Sequence, residues 1–130
     1  MDILKKAKSS NKIKEIIFQR NIYFGVKDTY HLKIYGNKAR CIAKNTFYLD
    51  SYFTPEETEH FLKSIEDLNI ECWEKEYINH NVLDGERWEL SVHYNDGYTK
   101  KSSGINAYPD NWNEFLDIWG NIFGIEWDED

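Results

Sequence analysis

The sequence predicts a single α+β domain. The expected architecture is an antiparallel β-sheet of about five or six strands, built from hairpins, with two main α-helices packed on one face. Three observations predict it. Period-2 hydrophobic alternation recurs between Gly/Asn turn signals. Two segments carry apolar stripes at helical spacing, one behind a complete N-terminal capping pattern. The connections are short, which favours antiparallel over parallel pairing. With 130 residues, residues 1–130 read as one domain.

The first twenty residues are ambiguous. Ile3, Leu4 and Ala7 fit a short helix face, which Ser9-Ser10-Asn11 breaks or caps. Beyond it, Ile16, Phe18, Ile22 and Phe24 alternate with polar neighbours, interrupted at Arg20. That pattern is mostly a strand, with helix over 12–20 as the alternative. Residues 30–35 and 39–43 flank Gly36-Asn37-Lys38 and read as a β-hairpin. Tyr30, Leu32 and Ile34 share one face of it, and His31, Lys33 and Tyr35 the other.

The clearest helix begins at Thr54. Thr54-Pro55-Glu56-Glu57 supplies an N-cap, a proline in the first turn and a glutamate three residues on. Phe61, Leu62, Ile65 and Leu68 form its apolar stripe, and its acidic first turn suits the helix dipole. Strand signals return over Ile70–Ile78, and residues 79–86 read as a loop. From Arg87 to Tyr94, Trp88, Leu90, Val92 and Tyr94 point one way, and Arg87, Glu89, Ser91 and His93 the other. Asn95-Asp96-Gly97 turns the chain into a partner strand from Tyr98 to about Ser103. The last helix runs from Asn111 to about Phe123, with Trp112, Phe115, Leu116, Trp119, Ile122 and Phe123 on a wide apolar face.

Hydrophobic residues make up 41% and charged residues 30%, which excludes disorder and fibrous repeats. No stretch approaches a membrane span, and the N-terminus lacks a signal-peptide pattern, so a cytoplasmic location is expected. Cys41 and Cys72 are then expected to be reduced and buried. The presence of only four Ala and three Arg beside abundant Ile, Asn and Lys suggests an AT-rich coding sequence from a low-GC bacterium or a phage.

The net charge of −7 disfavours wholesale nucleic-acid binding, but it hides an asymmetry. Residues 1–45 carry eleven Lys/Arg against three Asp/Glu, a net of +8, and residues 46–130 carry five against twenty, a net of −15. Either the two parts pack together and neutralise each other, or one forms an interaction surface.

Catalytic patterns are sparse. Gly-x-Ser-x-Gly, a phosphate loop, Cys-x-x-Cys and His-x-x-x-His are all absent. The four histidines lie on separate elements, so no metal site and no cofactor is assigned. Pro109-Asp110 is not followed by the Glu-x-Lys of a metal-dependent nuclease. Arg87, Glu89, Ser91 and His93 line one strand face about 7 Å apart, which reads as the wet side of a one-sided sheet. The alternative is a small enzyme using Glu89 and His93 as an acid–base pair. Residues 12–40 interleave aromatics with cations, a composition that can bind single-stranded nucleic acid if the acidic remainder faces away.

The strongest partner signal is acidic. Glu71, Glu74, Glu76, Asp84, Glu86 and Glu89 gather in one strand–loop–strand region. Trp127, beyond the last helix, either folds back on the domain or anchors an interface. Residues 84–119, with Ser102-Ser103-Gly104-Ile-Asn-Ala-Tyr-Pro-Asp-Asn-Trp112 at their heart, resemble the C-terminal end of small uncharacterised bacterial proteins. The resemblance implies an α+β domain and no activity, and it transfers no functional residues. Within it, Asn106 and Pro109 are expected to shape the strand-to-helix turn, with Tyr108 packing on the sheet.

The reading that follows is a non-enzymatic bacterial or phage protein that binds and inhibits a protein partner with a basic surface. An immunity protein against a toxin is the leading instance, and a phage inhibitor of host defence, such as an anti-CRISPR, is the second. No membrane partner is expected, and the oligomeric state is left open.

Overall fold

The computed structural model describes residues 12–23, 26–45, 48–81, 86–125 and 127. The fold is α+β. The described residues form seven strands: β1 (Ile13–Tyr23), β2 (Val26–Tyr35), β3 (Lys38–Lys44), β4 (Tyr48–Phe53), β5 (Glu76–Ile78), β6 (Arg87–Tyr94) and β7 (Thr99–Ile105). Two α-helices, α1 (Pro55–Asp67) and α2 (Trp112–Phe123), lie among the described residues. All seven strands form one sheet in the order β4-β3-β2-β1-β6-β7-β5.

The expected five or six antiparallel strands become seven in a mixed sheet. The strand β4 is additional, and β5 runs parallel to β7. The parallel pair follows from the chain path. The chain reaches the sheet edge at β5 before making the β6–β7 hairpin, and β7 then slots in between β6 and β5. The ambiguous segment over 12–20 is strand: Ile16, Phe18 and Arg20 turn inward and are buried. The strand signal over Ile70–Ile78 shrinks to Glu76–Ile78, because Ile70–Cys72 winds into a 3₁₀ turn. That turn is pinned to β7 from below. Lys100 Nζ donates to the carbonyls of Trp73 (2.6 Å) and Glu71 (3.3 Å), and Ser102 Oγ donates to that of Glu74 (2.6 Å).

The inner sheet face is apolar and carries both helices. Helix α1 lies over β3 and β4, with Phe61 against Phe53. Its cap is the predicted one: Thr54 and Glu57 exchange side-chain-to-backbone hydrogen bonds. Helix α2 lies over the centre of the sheet. There Phe18 meets Tyr30, Trp112, Phe115 and Trp119 at ring-centroid separations of 4.9–5.8 Å. Such contacts add to area burial by preferring edge-to-face and offset geometry. The helix stops at Gly124, whose φ of 68° is the left-handed cap that glycine adopts without strain.

The strand-to-helix turn follows expectation. Asn106 has a φ of 54°, and its side-chain oxygen accepts from the Glu86 amide at 2.9 Å. Tyr108 packs on Trp112, and its hydroxyl donates to Glu86 just before β6. Cys41 is buried, but Cys72 is exposed at the end of the 3₁₀ turn, contrary to expectation, and both are free thiols. No helix among the described residues is long and apolar enough to cross a membrane.

Candidate functional site

The sheet separates the two charge populations. Helices α1 and α2 carry Glu56, Glu57, Glu59, Glu66, Asp67, Glu114 and Asp117 against the single cation Lys63, a net of −6. On the opposite face, β2, β3 and β4 present Lys27, Lys33, Lys38, Arg40 and Lys44 against Asp50, a net of +4. The basic first third and the acidic remainder therefore meet at few points.

The main meeting point is Arg20. It sits under α2, and its Nε donates to Glu86 with side-chain exposures of 8% and 13%. Tyr108 donates to the other Glu86 oxygen at 2.8 Å. The guanidinium lies 5.0 Å from the Trp127 ring centroid and 6.0 Å from that of Trp112. Burial, reinforced by Glu86, pushes the Tyr108 hydroxyl well above its ordinary range.

The acidic residues singled out in the sequence divide accordingly. Glu86 is a partner of Arg20 inside the fold. Glu71 accepts from the Tyr94 hydroxyl, which burial and this carboxylate push upward in pKa. Glu74, Glu76 and Glu89 are exposed. Glu76 and Glu89 share a rung through Ser103, two strand spacings or about 10 Å apart. Asp84 lies outside the described residues. Trp127 is folded against the domain, half-buried, with its indole N–H donating to the Leu116 carbonyl at 2.7 Å and its ring edge-on to Tyr30.

Glu89 and His93 stand on the same outward row, about 13 Å apart at strand rise. His93 instead faces Glu15 in register, and its Nδ1 contacts Thr99 Oγ1 at 3.0 Å. Glu15 in turn bonds His31 from β2. This His–Glu–His row crosses three strands and was not visible in the sequence. No group of three His/Cys/Asp/Glu suited to a metal ion occurs among the described residues.

A groove opens in the acidic layer between the two helices. Its volume is 390 Å³, and its lining includes Phe53, Phe61, Ile118 and Ile122, with Glu56 and Glu57 among its polar residues. Read from the sequence, Glu57 has a capping role and both glutamates a favourable place in the helix dipole, with no role beyond the helix itself. Glu57 does cap the helix, while Glu56 is exposed. The groove depends on a contact between helices far apart in sequence, with Phe61 meeting Trp119, which no local pattern announces.

No protein-family model and no curated protein sequence matches the chain.

Proposed function

We propose that this is a non-enzymatic binding protein that docks a basic protein partner on its helix-bearing face and blocks it. The observation that carries the reading is the groove between α1 and α2: apolar side chains line it within a layer whose charge is almost entirely negative. Such a surface suits a segment that inserts an apolar side chain between flanking Lys or Arg residues. The acidic field speeds encounter and screens out acidic competitors. Exposed Glu74 adds acid near the β5 edge, while Glu76 stands with Glu89 on the opposite, outward face. An immunity protein or a phage inhibitor of host defence is the instance that best fits small size, acidity and AT-rich usage.

The test is affinity capture by the intact protein from cells that naturally express it, at 0.1 M salt, followed by reconstitution with the purified target. The expected result is one basic protein held 1:1, released by salt, and lost on Ile118→Glu. A target retained equally by that variant, or no stoichiometric target, overturns the reading.

A further inference from the structure

The outward face of β2–β4 carries a second surface of opposite character. Three of the most exposed large side chains lie there: Tyr35 at 49%, Tyr48 at 63% and Tyr52 at 64%. Lys38 and Lys44 are exposed beside them, and Lys33 and Arg40 are half-buried. The pairing register sets Lys44 opposite Tyr48, Arg40 opposite Tyr52 and Lys38 opposite Tyr35. Each ring therefore has a cation on the neighbouring strand. Arg40 holds Asp50 in a two-pronged pair at 3.0 and 2.6 Å while lying 6.0 Å from the Tyr52 ring centroid. Asp50 is thus matched, and Lys33 stands opposite Glu15 of β1, so Lys38 and Lys44 supply the surplus charge.

We infer that this face binds a single-stranded polynucleotide. Rings and cations are paired across strands, as a chain of bases joined by phosphates requires: the rings stack on bases and the lysines follow the backbone. Duplex bases are already stacked on each other and offer these rings nothing. An acidic protein would satisfy the lysines but leave the tyrosines idle. The acidic helices, which would repel phosphate, lie on the other side of the sheet, and the outward carboxylates Glu89 and Glu76 stand on β6 and β5, beyond β1 from the patch. The inference is independent of any partner on the helix face.

The experiment is fluorescence anisotropy of labelled 20-mers of oligo(dT) and oligo(rU) with the intact protein at 50 mM salt. Blunt duplex and anionic phospholipid vesicles serve as comparators. Saturable binding to the single strands is expected, with a log–log salt slope of about −2 to −3 for three to four phosphate contacts. Tyr48→Ala and Tyr52→Ala are each expected to weaken it at least about fivefold, and Lys38→Glu with Lys44→Glu more than that. Glu59→Lys, on the helix face, is expected to weaken neither strand. Tighter binding of one sugar type assigns the ligand to RNA or DNA. Absence of binding, equal binding of duplex or vesicles, or binding unmoved by the tyrosine substitutions in folded variants overturns the inference.

Discussion

Replacing Glu86 by Gln tests whether Arg20 is a buried cation held chiefly by its direct partner Glu86. Gln keeps the shape and an acceptor oxygen but removes the negative charge. The guanidinium, in a side chain only 8% exposed, then faces two indole rings and Tyr108, with Asp28, its register partner on β2, as the remaining carboxylate in range. Breaking a buried pair from one side costs about 3–5 kcal/mol. The 13% exposure of Glu86 admits some water, which lowers the expectation to about 2–4 kcal/mol. That is a large share of the roughly 5–15 kcal/mol that holds a typical domain. Urea unfolding followed by tryptophan fluorescence and far-UV circular dichroism reads it, with an unchanged m-value showing that the unfolded state is the same. Arg20→Met combined with Glu86→Leu removes both charges and is expected to recover stability to within about 1 kcal/mol of the wild type. A Glu86→Gln variant within about 0.5 kcal/mol of wild type, or a double variant worse than either single change, refutes the reasoning.

Four further outcomes follow from the packing. A Cβ at Gly104 would lie 2.1 Å from Trp88 Nε1 and 2.5 Å from the Ala107 carbonyl oxygen, displacing the indole from its hydrogen bond. Gly104→Ala is expected to cost about 2–4 kcal/mol, and an unchanged Tm would contradict it. Thr54→Ala removes the α1 cap for about 1 kcal/mol, while Thr54→Ser is expected to be near neutral by urea titration. Burial pushes the Cys41 thiol from 9.0 up to about 12. The folded state therefore keeps a proton that the unfolded state loses, and this contribution is intact below about pH 9 and declines from there toward pH 12. Cys41→Ala is expected to flatten that decline. At pH 8 a thiol reagent should label Cys72 alone until the chain unfolds, and two native equivalents would contradict the placement.

Local pattern carried much of this fold. The alternation over Arg87–Tyr94, the Asn95-Asp96-Gly97 turn and the Thr54 capping box each depend on residues within a few positions of one another, and each appears as read. The strand β4 was invisible because it has no buried face to pattern: five of its six residues are exposed, and Asp50-Ser51 reads as loop. The strand over Ile70–Ile78 failed at Ile70–Cys72, where the apolar residues pack under a 3₁₀ turn that Lys100 and Ser102 hold from β7. The candidate site was less legible still. Arg20 and Glu86 are 66 residues apart, so charge counting placed Glu86 on an outer surface when its partner lies inside. The groove and the basic-aromatic face both arise from tertiary pairing, one between helices and one across three strands.

The central claim is that the acidic helix face, through its groove, is where a basic protein partner docks. Hydrogen–deuterium exchange on the purified complex with the captured target tests it most directly. The account predicts slowed exchange in peptides covering 53–64 and 116–123, with β2 and β3 unchanged. Protection confined to the outward face of the sheet, with α1 and α2 exchanging as in the free protein, would contradict it.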